Sequence, residues 1–363
     1  MCPVNVAVKP KAGEMLSIER MQGMLRSVRP TWSIVRAERV AVGHHLVARL
    51  DVEAPTDHRT VYLKATPPGK PPSVDLEARV LAGIQDQSAI PVPTVLGAVD
   101  DHEKLPAPYV VLAAMPGEMY ERSALPAMAD HRLRRIAQQY GRYLAALHHI
   151  DAVDYYGMLD CTGPPMHGER PAGTFQAMTV TDGTGSWRTC LETWSQDALA
   201  GLEDTRFADI REKVEPVLRR RVDAISGSFE PVLARIDGAI ENVLLEGADL
   251  SGLIDWEFTV AATRDYDLAC VVWSLAGGPY LYSTEFLDCR ELVRAALLDG
   301  YTSSVDDGMK SQFHQNRACY ELLITIRSMV HLNAWCANFG LDPRVAEHRV
   351  RRELAVQLQR DGH

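Results

Sequence analysis

The chain has no run of roughly 18 consecutive apolar residues, the length a membrane-spanning helix needs. Its opening residues, MCPVNVAVKPKAGEM, lack the apolar stretch of a secretory leader. It is also short of positive charge: 38 Lys and Arg stand against 48 Asp and Glu, a formal net charge of −10. A surface with that bias is not expected to meet nucleic acid or an anionic membrane, which leaves open only a local basic pocket. The seven cysteines (Cys2, Cys161, Cys190, Cys270, Cys289, Cys319, Cys336) are odd in number and form no C-x-x-C pair. That excludes a disulfide framework and a zinc site of ordinary spacing, and leads us to expect a cytoplasmic protein with reduced thiols. Internal repeats and low-complexity tracts are missing too. What remains is ordinary globular material, 46% hydrophobic and 24% charged. At 363 residues the chain exceeds a single-core domain, so two lobes sharing a cleft are expected.

Residues 15–28 set Leu16, Ile18, Met21, Met24, Leu25 and Val28 at helical spacing. Three strands of a meander are predicted at 32–42, 46–53 and 60–65, where VARLDVE and TVYLKA alternate apolar and polar residues. After the Pro-rich break PPGKPP a helix is predicted over 74–85; the prolines of IPVPTVLGAVD suit an edge strand, and PYVVLAAMPGE reads as a buried strand ending in a Pro-Gly turn. Residues 1–115 therefore read as a small sheet lobe with one packed helix, and 116–363 as a mainly helical lobe. In the latter, Leu133, Ile136, Ala137, Tyr140, Leu144 and Leu147 share one helix face. The stretch 157–194, rich in Gly, Pro, Thr and Ser, reads as a long insertion or lid without regular elements. Helices resume across 190–224, VLARIDGAIENVLLE and LSGLIDWEFTV read as loop and strand pieces, and 265–359 is helical by period.

Two acidic segments interrupt apolar sequence: Asp237-Gly-Ala-Ile-Glu-Asn242 ahead of Val-Leu-Leu, and Leu253-Ile-Asp255-Trp-Glu257. A carboxylate set in a hydrophobic strand costs several kcal/mol unless it is paired or binds metal, so a compensating cation is expected. Asp-x-x-x-x-Asn followed, after a short hairpin, by a second Asp is the arrangement with which protein kinases accept a hydroxyl proton and hold magnesium. Between Asn242 and Asp255 there is room for VLLE, a turn at 247–249 and a return strand SGLI.

DGAIENVLLEGADLSGLIDWE together with the later DYDLA resembles the aminoglycoside phosphotransferase family, a kinase-like group related to choline and homoserine kinases. The family places Tyr-Asp-Leu-Ala so that its Asp follows the metal-binding Asp by twelve residues, the step from Asp255 to Asp267 here. The resemblance implies an α+β, two-lobed protein-kinase-like fold, with residues 1–115 as a small β-sheet nucleotide-binding N-lobe and 116–363 as a larger, mainly helical catalytic and substrate-binding C-lobe. It implies transfer of the γ-phosphoryl of ATP or GTP, with Mg²⁺, to a hydroxyl of a small molecule. Carried over by position, Asp237 is the catalytic base, and Asn242 and Asp255 are the metal ligands. Lys64, in Thr60-Val-Tyr-Leu-Lys64, grips the phosphates and is braced by Glu77; Gly43 belongs to the phosphate loop, and the main chain around Leu112 to Ala114 meets adenine. Leu144 to His148 matches a helix ending usual in the family, and Asp267 is expected to cap the next helix and brace the catalytic loop.

The chain departs from the family in three places. Arg235-Ile236 replaces His-Gly ahead of Asp237, Thr263 stands for the Asp of a Gly-Asp-Pro turn, and VAVGHHL offers one glycine. These departures support the alternative of a non-catalytic, pseudokinase-like binding protein. Arg235 is expected to pair with Asp237 or a phosphate, and Glu257 is open between a place near the metal and a plain polar role. Adjacent histidines point apart, so His44-His45 and His148-His149 are not expected to bind metal. Trp187, Trp194 and Trp335 are open between core packing and a sugar-like substrate, and Cys270 reads as core. The net acidity points to a cationic or neutral acceptor and would suit an amino-sugar antibiotic.

Overall fold

The structure is a computed structural model that describes residues 17–40, 45–66, 74–173, 175–304 and 308–359; Gly43 of the expected phosphate loop lies outside the described residues. The first helix, α1 (Ile18–Val28), starts at Ser17, whose hydroxyl accepts from the Arg20 N–H, and it buries Met21, Met24, Leu25 and Val28. Strands β1 (Ser33–Val40), β2 (Leu46–Glu53) and β3 (His58–Ala65) follow as the expected meander. Helix α2 (Val74–Gln87), β4 (Val95–Val99) and β5 (Tyr109–Ala113) complete an antiparallel sheet of order β1-β2-β3-β5-β4. The alternation of VARLDVE has its physical outcome in β2, where Ala48, Leu50 and Val52 are buried and the intervening residues face outward. Strand β4 lies at the sheet edge, as expected, with Pro91 and Pro93 in the segment leading into it. Every residue of α2 from Leu76 to Ile84 is buried, because the helix is enclosed between β4 and β5 on one side and C-lobe elements on the other.

The chain leaves the sheet at the short strand β6 (Glu118–Met119), makes a 3₁₀ turn at Arg122–Ala127 and enters α3 (Asp130–Leu147). The expected irregular insertion is instead partly regular. Strands β7 (Tyr156–Cys161) and β8 (Met178–Thr184) form a hairpin, and α4 (Trp187–Gly201) begins inside the same stretch. The loop joining β7 to β8 folds back on the N-lobe. Gly168 donates to the Ala98 carbonyl, Ala98 donates to that of Glu169, and Arg79 donates to that of Pro164. Strand β8 alternates only over Met178-Thr179-Val180-Thr181, with Met178 and Val180 partly buried, and then runs into exposed Asp182-Gly183, too short a pattern to stand out in sequence.

Helix α5 (Arg211–Ala224) leads to β9 (Val232–Ala234), the hairpin of β10 (Val243–Glu246) and β11 (Asp249–Leu253), and β12 (Val260–Ala262). Gly247 turns the hairpin at φ +63°, a left-handed conformation natural to glycine. The hairpin adds β6 to give the order β11-β10-β6, and the remaining strands form a sheet β8-β7-β12-β9. Helix α6 (Arg264–Val272) passes through a π-helical turn at Trp273–Gly277 into α7 (Gly278–Tyr282), followed by α8 (Arg290–Thr302), α9 (Gly308–Val330), α10 (Leu332–Phe339) and α11 (Pro343–Gln359).

Trp187 and Trp194 are core residues. Their rings meet edge to face at 5.5 Å, both pack on Tyr266, and the Trp187 indole N–H donates to the Tyr320 hydroxyl at 3.1 Å. Helices α3 and α8 approach closely through two glycines. A Cβ on Gly141 would lie 2.1 Å from the Leu297 carbonyl oxygen, and one on Gly300 would lie 1.9 Å from that of Gln138. Gly141→Ala should therefore force the helices apart and destabilise the chain by about 3 kcal/mol, the upper part of the overpacking range, measurable by chemical denaturation. An unchanged midpoint would mean that the two helices are free to separate.

Candidate active site

Strand β3 carries Lys64 into the space between the lobes, where the residue is 8% exposed. Its ammonium meets three carboxylates: Asp255 Oδ1 at 2.6 Å, Glu77 Oε2 at 2.7 Å and Glu257 Oε2 at 2.9 Å. Glu77 comes from α2, and its other oxygen accepts from the Trp256 N–H at 3.1 Å, so one side chain fixes both the lysine and the segment holding Asp255. Glu257, undecided from sequence, is buried and also pairs with His45. His148, in turn, binds Asp267 and Tyr301, and His149 contacts the Ala145 carbonyl.

One lysine and one histidine face three acids, and the titration of each group reflects that imbalance. Burial opposes the charge of Lys64, but Asp255, Glu257 and Glu77 overcome it and hold the ammonium well above the usual lysine range. Burial, reinforced by repulsion from Glu257, pushes the Asp255 carboxyl up to about 8 despite the nearby lysine. Burial works against the charge of Glu257 as well, yet Lys64 and His45 bring it below the usual carboxylate range. Asp255 sits at φ +61°, a conformation held by its surroundings and not by its own preference.

Asp237 and Asn242 occupy the loop after β9. The Asn242 amide donates to Asp237 Oδ2 at 3.1 Å, while the Ala239 N–H reaches Oδ1 at 3.3 Å. Among the described residues no donor reaches Asn242 Oδ1, and the Asn242 carbonyl accepts from the Ile254 N–H at 3.0 Å. Asp237, Asn242 and the residue before Asp255 are thus joined by consecutive hydrogen bonds. Oxygens of Glu77, Asp255 and Glu257 lie within 4.8 Å of one another. An open amide oxygen beside surplus carboxylate charge is an oxygen donor set of the kind Mg²⁺ takes.

Arg235 does not pair with the Asp237 carboxylate. It is 1% exposed, donates to the carbonyls of Asp237 and Ile254, and stacks on Trp256 at 4.3 Å. Its guanidinium therefore clamps the loop of Asp237 to the strand end of Asp255. Asp267 accepts from the N–H groups of Arg235 and Ile236 and from His148. It braces the loop, while the cap position of α6 is Thr263. Ile236 takes φ +52°, unusual for a β-branched residue, and its donated N–H holds it there.

Leu112 is buried at the end of β5, and Ala114 is exposed beyond it. The N–H groups of Ala113 and Ala114 already donate to the carbonyls of Thr94 and Thr60. Neither can meet a base, and the next N–H, that of Met115, has no partner among the described residues. Beyond Asp237 a cavity of about 70 Å³ opens, lined among others by Arg122, Phe258, Trp273, Arg327 and Trp335. These residues come from five separate segments, and no local pattern announces them. Trp335 thus faces this cavity, unlike Trp187 and Trp194.

The profile of the phosphotransferase enzyme family matches residues 48–307. The chain belongs to that family. Members of known structure share its fold: aminoglycoside phosphotransferase APH(4)-Ia superposes with a TM-score of 0.55 at 14% identity, covering 92% of this chain and 99% of that one. A GDP and kanamycin complex of APH(2'')-IIIa superposes at 0.51 and 14% identity, over 92% and 98%. A putative aminoglycoside phosphotransferase from Ralstonia eutropha gives 0.55 at 14%, over 95% and 97%. A probable acyl-CoA dehydrogenase, IBR3 of Arabidopsis thaliana, is 23% identical over 229 residues, 61% of this chain. The phosphotransferase chain spans a quarter of that relative's length. Among the described residues no helix is long and apolar enough to cross a membrane.

The raised Asp255 carboxyl fixes the sign of a pH effect in this family member. A carboxyl whose folded pKa exceeds its unfolded one loses stability as pH rises from about 4 to about 8, because folding then opposes ionisation. Asp255→Asn cannot ionise. In EDTA the variant should melt close to the parent at about pH 5 and a few degrees above it at about pH 8. A difference that does not widen with pH would contradict the raised carboxyl.

Proposed function

We propose that the chain transfers the γ-phosphoryl group of ATP or GTP to a hydroxyl of a small molecule, with Mg²⁺. The observation that carries this reading is the hydrogen-bonded series Asp237, Asn242, Ile254-Asp255, Lys64 and Glu77, which runs from the cavity to the sheet lobe. Asn242 and Asp255 would hold the cation, which when bound would neutralise the charge of the phosphates. Lys64, fixed by Glu77, offers its ammonium to the phosphates. The Met115 N–H is the free main-chain donor for the base, and the carbonyl of Ala113 precedes it. Family membership supports phosphotransfer, and the complexes of structurally similar phosphotransferases with ADP, AMP-PNP and GDP support a nucleotide as donor.

Asp237 orients the acceptor hydroxyl and takes its proton. The hydroxyl oxygen then bonds to the γ-phosphorus while the bond to the bridging oxygen breaks, and the nucleoside diphosphate leaves with the electron pair. Positioning and charge neutralisation provide most of the rate. The Arg235-Ile236 replacement removes no reacting group, since Arg235 takes over the orienting contacts.

Asp237→Asn should lower turnover by about 10²- to 10⁴-fold with nearly unchanged nucleotide affinity, as followed by nucleoside diphosphate release. Full turnover in this variant would remove Asp237 from the reaction. Asp255→Ala should abolish the rise in melting temperature given by Mg-ATP, which for a saturating ligand at a hundred times its Kd is worth about 2.7 kcal/mol. An intact rise would place the cation elsewhere.

A further inference from the structure

The cavity beside Asp237 is rich in hydrogen-bond donors that lack acceptors. Arg122 Nη1, Trp273 Nε1 and Trp335 Nε1 all line it, all are buried, and none has a partner among the described residues. The Arg122 side chain is 10% exposed and rigidly held: Glu241 takes its Nε edge, and the rings of Trp335 and Phe339 lie 4.8 and 5.7 Å from its guanidinium carbon. One edge of a fixed guanidinium is thereby left facing the cavity. Arg327 also lines it and donates to the Tyr266 hydroxyl at 2.8 Å. Trp273 and Ser274 reach the cavity from the π-helical turn between α6 and α7, an irregularity often found at functional sites.

The open edge of Arg122 and two indole N–H groups meet a single lining carboxylate, Asp237, with Glu241 already engaged at the Nε edge of Arg122. A buried donor without a partner costs about 1–3 kcal/mol, so the natural occupant supplies acceptors. Planar guanidinium groups match carboxylates in particular. The remaining wall is apolar and aromatic: Ile236, Phe258, Ile324 and the two tryptophans. A polycationic amino sugar would place ammonium groups against two arginines and leave the indole donors unmet.

Resting on the phosphotransfer reading above, we propose that the acceptor is a hydroxycarboxylate, its carboxylate held by Arg122 with the indole N–H groups and its hydroxyl presented to Asp237. The net acidity of the surface, which pointed to a cationic or neutral acceptor, has no counterpart in this cavity. Recognition is set by the local charge.

The test uses the full chain with labelled Mg-ATP and Mg-GTP. The acceptors are a series of short-chain hydroxycarboxylates, their methyl esters, a hydroxylated phosphomonoester, choline and kanamycin. The expected result is phosphate transfer to hydroxycarboxylates, with kcat/KM for the esters lower by about 10- to 100-fold, the value of a charge-assisted hydrogen bond. Arg122→Gln should raise KM for the acid by a similar factor while leaving KM for the nucleotide and the Mg-nucleotide melting shift unchanged. That shift also shows that the variant is folded. Esters used as well as acids, or a variant with unaltered KM for the acid, would overturn the proposal. Transfer only to kanamycin or choline would overturn it and leave the phosphotransfer reading standing, and transfer only to the phosphomonoester would replace carboxylate by phosphate recognition. A parent chain that binds no nucleoside triphosphate would instead remove the phosphotransfer reading itself.

Discussion

A single ammonium group, that of Lys64, balances three acids drawn from both lobes. Strand β3 supplies the lysine, α2 supplies Glu77, and the segment after β11 supplies Asp255 and Glu257. Breaking a buried ion pair leaves an uncompensated charge, so each member constrains the position of the others. The constraint reaches beyond the charges. Glu77 also receives the Trp256 N–H, and the Leu253 N–H donates to the Pro91 carbonyl, so the sheet lobe and the acidic segment are held in one register. Surplus negative charge at this junction is unfavourable for the isolated chain and favourable for a cation and its phosphates, a conflict common at functional sites.

Around that junction the supporting contacts are arranged in layers. Asp267 holds the backbone of Arg235 and Ile236; Arg235 holds the carbonyls of Asp237 and Ile254; His148, itself held by Tyr301, holds Asp267. Tyr301 belongs to α8, and α8 reaches His148 only because Gly141 and Gly300 let it lie against α3. A packing detail far from the cleft thereby sets the orientation of the loop that faces it. The left-handed backbone at Ile236 is tolerated for the same reason: the N–H it presents is needed by Asp267.

Most of the sheet lobe was legible in the sequence, since VARLDVE and TVYLKA face apolar core on one side and solvent on the other. Asp237, Asn242 and Asp255 stood out as well, because acids inside apolar sequence demand a reason and their spacing matches a hairpin. The β7–β8 hairpin was not legible: β8 buries little and alternates only over Met178 to Thr181, inside a stretch rich in Gly, Pro, Thr and Ser. The place of Glu257 was hidden because burial of an acid depends on a lysine 193 residues earlier, at Lys64. The N–H of Ala114 pairs with the Thr60 carbonyl, a matter of register that sequence does not carry. Arg122, Trp273, Arg327 and Trp335 meet only in three dimensions, so the lining of the cavity beside Asp237 was not legible either.

The central claim is that Lys64 and its acids form the seat of a magnesium-bound triphosphate. Calorimetric titration of the full chain with ATP, with and without Mg²⁺, and of Lys64→Met, tests it most directly. The account predicts saturable binding that requires Mg²⁺ and that weakens by about 10- to 100-fold in the variant, the worth of one or two charge-assisted hydrogen bonds. Binding of equal strength without Mg²⁺, or an affinity untouched by loss of the lysine, would contradict it.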